Sequence, residues 1–187
     1  MSDPRREIVE AGREVCEAGL VVGRAGNISV RLPDDRFLIT PSGCRLGRLA
    51  ETDPVAIDAV DQASNGVPST EWRVHVAIYL ARSDIGAIVH THSTYATVLA
   101  YLNRPLLDVN PETVEVVGEV GLVPALPHGT QQLADAVARA IGPRNVLFIE
   151  KHGVLTVGET LDEAVQRALY LEEAAKMTYL INLAGDK

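Results

Sequence analysis

The chain has 187 residues, of which 47% are hydrophobic and 22% are charged, and this composition is typical of a folded globular domain rather than a disordered or fibrous chain. Its net charge of −8 disfavours nonspecific binding to nucleic acid or to an anionic membrane, because both depend on positive charge on the protein. No segment predicts a membrane span or a signal peptide, and two cysteines are too few for a secreted disulfide scaffold. We therefore expect a single cytoplasmic domain over residues 1–187.

The N-terminal third of the chain predicts one helix followed by short strands. Apolar residues first recur at three- and four-residue spacing, which indicates one buried helix face, and then alternate with polar residues, which indicates strands. Two of the strands are separated only by a polar, proline-containing turn and predict a hairpin. The expected elements are a helix at 5–18, strands at 28–32 and 36–40 joined by a turn at 33–35, a strand at 55–60 and a polar turn at 61–66.

The rest of the chain predicts helices and strands in alternation. Ser69 or Thr70 is expected to cap a helix that ends near Arg82, and residues 160–163 match a capping box that begins a long final helix. The stretch 103–127 contains prolines and glycines and predicts only one or two short strands. The remaining expected elements are a strand at 85–92, a short helix from Ser93 or Thr94, a helix at 130–141 and strands at 145–150 and 154–157.

These elements favour an α/β fold with helices on the faces of a central mixed, mostly antiparallel sheet, because several strands are short and joined by turns. A doubly wound parallel sheet fits less well. The glycine-rich nucleotide fingerprint and the Walker A loop are both absent from the sequence.

Two of the five histidines stand two residues apart, in Val89-His90-Thr91-His92. In a strand, side chains at i and i+2 lie on one face about 6.5 Å apart, and two imidazoles can lean from there onto one ion at about 2.0–2.1 Å. His152 also follows an apolar strand and precedes a glycine. Three histidines with an open fourth position describe a catalytic zinc site, whereas ordinary histidines near surface turns are the alternative interpretation.

Other polar residues admit both a structural and a functional interpretation. Glu71 is expected in the first turn of a helix, where the dipole alone favours a carboxylate, but it is also a candidate acid/base beside a metal. His75 lies among apolar residues and is expected to be a packed histidine, and His128 is expected to be a loop residue. Three segments offer hydroxyl, amide or free backbone N–H groups to an anion: Gly26-Asn27, Ser42-Gly43 and Ser69-Thr70.

Taken in order, five segments closely resemble the class II aldolase/adducin family, and within it the L-fuculose-phosphate aldolase group. The resemblance extends from the first predicted helix to the last. The segments are Gly26-Asn27-Ile28-Ser29-Val30-Arg31, Ile39-Thr40-Pro41-Ser42-Gly43, Ser69-Thr70-Glu71-Trp72, His90-Thr91-His92-Ser93 and Lys151-His152-Gly153.

The resemblance implies a three-layer α/β/α fold and a homotetramer with active sites between neighbouring subunits. It implies zinc, or another divalent ion, on His90, His92 and His152, with Glu71 as the acid/base. The implied reaction forms or cleaves a carbon–carbon bond in a small phosphorylated sugar, from a ketose phosphate and an aldehyde, through a zinc-stabilised enediolate. Positions implied to hold the substrate phosphate are Asn27, Ser42, Gly43, Ser69 and Thr70.

Other proteins of the same fold remain alternatives. A sugar-phosphate 4-epimerase is less favoured, since the epimerases that resemble this family have an aspartate at the position of Glu71. A methylthioribulose-1-phosphate dehydratase keeps the glutamate. A non-catalytic module like the adducin head domain lacks the metal ligands, and the intact set of three histidines argues against it.

The chain also departs from the family pattern at two places. Family aldolases carry a C-terminal tail with a tyrosine that reaches an active site, and Tyr179 instead falls in the predicted final helix, so we expect that tyrosine to be missing. Residues 107–112 offer no tyrosine either. Because these groups act on the aldehyde partner, the particular sugar stays open.

Overall fold

The structure is a computed structural model, and it describes residues 3–58 and 66–185. Its helices and strands alternate along the chain as the sequence predicts. In chain order they are α1 (Pro4–Glu17), β1 (Asn27–Leu32), β2 (Arg36–Ile39), a short 3-10 helix (Leu46–Arg48), β3 (Val55–Asp58), α2 (Trp72–Ala81), β4 (Ala87–Thr91), α3 (Thr94–Leu102), α4 (Pro111–Val117), β5 (Val120–Val123), α5 (Gln131–Ile141), β6 (Val146–Ile149), β7 (Gly153–Gly158) and α6 (Leu161–Gly185).

The strands of the described residues form one seven-stranded sheet in the order β3-β2-β1-β4-β7-β6-β5. All neighbouring pairs are antiparallel except β5 and β6, which run parallel. The predicted hairpin is confirmed, because β1 pairs with β2 from Ser29 opposite Ile39 to Leu32 opposite Arg36. The mixed, mostly antiparallel sheet is confirmed as well.

Helices cover both faces of the sheet and complete the predicted three layers. On one face Ile88 of β4 belongs to the same core cluster as Ile78 of α2. Its neighbour Val89 points to the opposite face, because side chains alternate along a strand, and packs in a second cluster with Val15 of α1 and Ala168 of α6. Helix α5 shares the first face with α2, while α3 and α4 lie with α6 on the second.

Two local predictions are wrong. The helix at Pro111–Val117 was not expected, although Asn110 caps it by accepting a hydrogen bond from the Thr113 N–H at 2.8 Å and Pro111 starts it. Neither Ser69 nor Thr70 is the N-cap of α2. The N-cap is Glu71, whose side chain makes no capping hydrogen bond because it contacts Asn27 and His90 instead.

The remaining boundaries agree with prediction to within about two residues. The third strand is observed at Val55–Asp58, and residues 59–65, which include most of the predicted turn at 61–66, lie outside the described residues. Thr160 Oγ1 accepts from the Glu163 N–H at 3.2 Å, as in a capping box, while the Glu163 carboxylate accepts from the Glu159 N–H at 3.1 Å. Within the described ranges, no helix has both the length and the apolar composition needed to cross a bilayer.

Candidate active site

The three histidines singled out in the sequence lie together at one end of the sheet. His90 is in β4, His92 lies just beyond the end of that strand, and His152 is in the turn between β6 and β7. One nitrogen from each ring falls within 4.8 Å of the others, and the ring centroids are 4.9–5.1 Å apart. We call His90, His92 and His152 the histidine triad.

The turn that carries His152 depends on a close approach of the backbone to the other two rings. The His152 N–H donates to the Ile149 carbonyl at 3.1 Å, which closes the turn. A Cβ atom at Gly153 would lie 2.5 Å from the Thr91 oxygen and 2.8 Å from His92 Cδ2, so only glycine fits there. Glycine at position 153 is therefore a requirement of the packing between β4 and β7.

Hydrogen bonding sets the tautomer of His90. Its Nδ1–H donates to the Val154 carbonyl at 2.9 Å, which leaves the Nε2 lone pair of the neutral ring directed at the triad. That Nε2 lies 3.0 Å from His92 Nε2 and 3.0 Å from Glu71 Oε2. Because His90 Nε2 in this tautomer and Glu71 Oε2 are both acceptors, their contact is favourable only with a proton or a metal ion between them.

The charge states of the rings follow from burial and from one carboxylate. Burial alone would lower the pKa of His90, but the adjacent Glu71 carboxylate and the hydrogen bond to Val154 raise it above its ordinary value. Burial lowers the pKa of both His92 and His152 to about 4, and the proximity of His90 adds to this effect. His92 and His152 are therefore neutral near pH 7, the state in which imidazole binds metal.

Glu71 lies against the triad from the N-terminus of α2. Its Oε1 lies 3.3 Å from His152 Nε2 and, among the described residues, has no partner with hydrogen-bond geometry. Burial alone would raise the pKa of Glu71, but His90, His152 and the Asn27 amide lower it well below its ordinary range. The carboxylate is therefore ionised near pH 7, with one oxygen that has no hydrogen-bond partner among the described residues.

Behind Glu71, a chain of hydrogen bonds runs into the core through His75. Asn27 Nδ2 donates to Glu71 Oε2 at 3.3 Å, which turns Asn27 Oδ1 toward His75 and makes His75 Nε2–H the donor to it at 2.5 Å. His75 Nδ1 then accepts from the Ser29 hydroxyl at 2.7 Å, and Ser29 accepts from the Tyr79 hydroxyl at 2.8 Å. We call these five residues the His75 chain.

The His75 chain leaves that histidine with a partner on each ring nitrogen. Burial, with the proximity of His90, lowers its pKa to about 3, so the ring is neutral. This agrees with the prediction of a packed histidine rather than a ligand.

Two members of the triad, His92 and His152, line a cavity of about 280 Å³. Among the described residues, every position predicted to hold a phosphate lines this cavity together with Glu71. The backbone places two of the loops side by side, because the Ser42 N–H donates to the Val67 carbonyl and the Ser69 N–H donates to the Thr40 carbonyl, each at 3.0 Å. The predicted phosphate positions are Asn27, Ser42, Gly43, Ser69 and Thr70.

Two further residues of the cavity were not expected there. His128 does lie in a loop, as predicted, but its ring centroid is 6.5 Å from that of His152. Arg24, in the loop before β1, also lines the cavity. Tyr179 lies in α6, where its ring contacts Tyr95, and it does not line the cavity.

The fold is that of one known family. Residues 6–179 match the model of the class II aldolase and adducin N-terminal domain. The chain belongs to the class II aldolase and adducin family.

Two relatives and one solved structure show which members of that family the chain is similar to. The chain is 34% identical over 176 residues to the L-fuculose phosphate aldolase of Methanococcus vannielii, covering 94% of this chain and 96% of that protein. It is 36% identical over 174 residues to the 5-methylthioribulose-1-phosphate/5-deoxyribulose-1-phosphate aldolase of Rhodospirillum rubrum, covering 92% and 78% of the two chains. A solved L-fuculose 1-phosphate aldolase superposes with a TM-score of 0.92 at 34% identity, covering 100% of this chain and 89% of that one.

Proposed function

We propose that this protein is a metal-dependent aldolase that forms or cleaves a carbon–carbon bond in a small ketose 1-phosphate. The observation that carries the proposal is the convergence of three imidazoles and one buried carboxylate beside a polar cavity, which His92, His152 and Glu71 line. Aldolase relatives that span most of the chain support the same reaction class.

The residues present fit a divalent metal ion. The triad places three nitrogen donors within 4.8 Å of one another, and three histidines with an open position are the ligand set of catalytic zinc. The carbonyl of Val154 fixes the His90 ring with its Nε2 toward the site, as outer partners of metal ligands do. Two buried atoms, Glu71 Oε1 and His152 Nδ1, lack hydrogen-bond partners among the described residues, as expected for groups that serve a ligand.

We therefore propose that His90, His92 and His152 hold zinc or another divalent ion. A bound ion of this kind supplies Lewis-acid polarisation of the substrate carbonyl.

Glu71 is the proposed acid/base of the reaction. In the direction of synthesis, its carboxylate takes a proton from the carbon next to the carbonyl of the ketose phosphate, and the electron pair left on that carbon attacks the carbonyl carbon of the aldehyde. The aldehyde oxygen then takes up a proton from solvent, and Glu71 releases its own proton to solvent. In cleavage the same residue returns the proton to that carbon. The amide of Asn27 holds the carboxylate in place through Oε2, so Oε1 is the oxygen free to carry the proton.

The loops around the cavity position the substrate by its phosphate, at a distance from the reacting carbons. Ser42, Gly43, Ser69 and Thr70 supply hydroxyl and backbone N–H groups of the kind that bind phosphate, beside the N-terminus of α2. Binding energy from a remote phosphate orients the carbons that react.

The test is an aldol assay with dihydroxyacetone phosphate and a series of short aldehydes, with zinc supplied and products identified by mass spectrometry. We expect a product whose mass is the sum of the two substrates. No such product across the series would overturn the proposal, and water loss from a ketose 1-phosphate would indicate the dehydratase instead.

The relative from Rhodospirillum rubrum favours a second substrate class within the same reaction. Its name gives 5-methylthioribulose 1-phosphate and 5-deoxyribulose 1-phosphate as what it acts on. Parallel cleavage assays of these compounds and of L-fuculose 1-phosphate, each detecting dihydroxyacetone phosphate, separate the candidates by their kcat/KM. A homotetramer with sites between subunits and a cytoplasmic location stay predictions.

A further inference from the structure

Arg24 is the single lysine or arginine among the described residues that line the cavity. Its guanidinium lies beside the Gly43 loop, since Nη1 is 3.5 Å from the position a Cβ atom of Gly43 would occupy. Arg24 makes no hydrogen bond or ion pair with any other described residue. An arginine without a carboxylate partner, at the wall of a cavity in an acidic protein, is available to an anionic ligand.

The backbone before β1 holds Arg24 at this position. The Ala25 N–H donates to the Val22 carbonyl at 3.1 Å and closes a turn around Arg24. Gly26 follows with a φ of +80°, and a Cβ atom there would lie 2.7 Å from the His90 carbonyl oxygen. Because Gly26 packs directly on the strand that carries His90, the side chain of Arg24 starts from a fixed point next to the site.

Other polar groups of the loops that line the cavity also lack partners among the described residues. The N–H groups of Gly43 and Thr70 donate to no described residue, and the hydroxyls of Ser42 and Thr70 likewise have no partner there. A cation among unpaired donors matches an oxyanion.

The charge balance of the cavity points to the same ligand. Glu71 also lines the cavity, and a phosphate monoester carries nearly two negative charges near pH 7, so a bound phosphate needs a cation nearby to offset its charge. Hydroxyl and amide groups do not offset that charge. The planar guanidinium does, because it can donate two parallel hydrogen bonds to one phosphate.

We propose that Arg24 binds the phosphate end of the substrate and provides the positive charge of the phosphate subsite. This rests on the proposed function for the identity of the substrate. Arg24 is then a substrate-binding residue that acts on affinity for the phosphorylated substrate, with no part in moving the proton.

The direct test is calorimetric titration of the purified protein with inorganic phosphate, in a buffer free of other oxyanions. We compare the parent, Arg24→Gln and Arg13→Gln, which makes the same charge change at an exposed position of α1 outside the cavity. Loss of a charge-assisted hydrogen bond predicts phosphate affinity about 10- to 100-fold weaker for Arg24→Gln and unchanged for Arg13→Gln. Equal affinity in all three proteins, or no phosphate binding by the parent, overturns the inference.

Kinetics supply the second arm of the test. With dihydroxyacetone phosphate, Arg24→Gln should raise KM about 10- to 100-fold with kcat within about twofold of the parent. With unphosphorylated dihydroxyacetone, the two proteins should have the same kcat/KM, and Arg24→Lys should restore part of the lost affinity. A drop in kcat alone would contradict a binding role. If the parent has no aldol activity, the proposed function fails, and the phosphate titration still decides the role of Arg24.

Discussion

The fully buried His75 and the histidine triad lie on either side of Glu71 and differ in their hydrogen bonding. In the His75 chain every ring nitrogen has a partner, and the donors run in one direction from Tyr79 to Glu71. In the histidine triad, the His90 and His92 nitrogens face each other at 3.0 Å, and His152 Nδ1 has no partner among the described residues.

The difference separates residues that stabilise the core from residues proposed to bind the metal ion. A satisfied buried polar chain stabilises one arrangement of the core, because breaking any link leaves a desolvated group unpaired. The triad instead brings three ring nitrogens within 4.8 Å of one another beside a carboxylate, an arrangement that a bound cation would stabilise. Glu71 is a member of the His75 chain and also contacts the triad. Substitutions along the His75 chain should therefore separate effects on stability from effects on activity.

The largest effect is expected for Glu71→Gln. The substitution keeps the shape and removes the basic oxygen, so turnover should fall about 10²- to 10⁴-fold while metal content is retained. Steady-state kinetics together with metal analysis of the same preparation check this. Activity equal to that of the parent would show that Glu71 is not the acid/base.

Asn27→Ala should follow with a smaller loss of activity. It removes the hydrogen bond that holds Glu71 Oε2 and leaves His75 Nε2–H unpaired, so we expect kcat/KM about 10- to 100-fold lower. Thermal denaturation should show a loss of stability of about 1–3 kcal/mol, the cost of an unpaired buried donor. Asn182→Ala, in the final helix, is the control. A kcat/KM equal to that of the parent in Asn27→Ala would show that the hydrogen bond from Asn27 to Glu71 does not affect the reaction.

His75→Gln should change how stability depends on pH. The pKa of His75 is about 3 in the folded protein and about 6.5 when unfolded, so between these values the unfolded state binds the extra proton and stability falls as pH falls. The parent should therefore lose up to about 1.4 kcal/mol per pH unit more than the variant in that window. Urea unfolding at several pH values measures the slopes, and equal slopes would mean that His75 titrates normally.

Tyr79→Phe should have the smallest effect, because it removes only the outermost hydroxyl of the chain. The ring keeps its stacking on Phe37 at 4.6 Å, and the lost hydrogen bond to Ser29 costs about 1 kcal/mol of stability. Urea unfolding gives this value, and turnover should match the parent. A large loss of turnover would instead mean that the far end of the chain governs Glu71.

Much of this architecture could be predicted because its patterns are local. Alternation in Ile28–Leu32, a polar turn and a second extended run predict the hairpin, and the two-residue spacing of His90 and His92 predicts a shared face. The helix at 111–117 was missed although Asn110 and Pro111 are a cap and a first-turn residue, because its seven residues show little periodicity among turn formers.

The rest could not be predicted because it depends on contacts between distant loops. Arg24 and His128 reach one cavity only through the packing of the loop before β1 with the loop after β5. The capping of α2 was misjudged because Ser69 is a good capping residue by type, whereas the tertiary contacts of Glu71 with Asn27 and His90 decide its orientation. Family resemblance, not spacing, placed the predicted ligands and phosphate positions in one site.

The central claim is that the histidine triad holds a divalent ion, and metal content tests it most directly. Inductively coupled plasma mass spectrometry of protein purified without chelator, then dialysed after zinc is supplied, should find about one ion per chain in the parent. His92→Ala should carry much less, while His128→Ala, which alters a histidine of the same cavity outside the triad, should match the parent. A parent without bound metal, or a His92→Ala variant as fully occupied as the parent, would contradict the account.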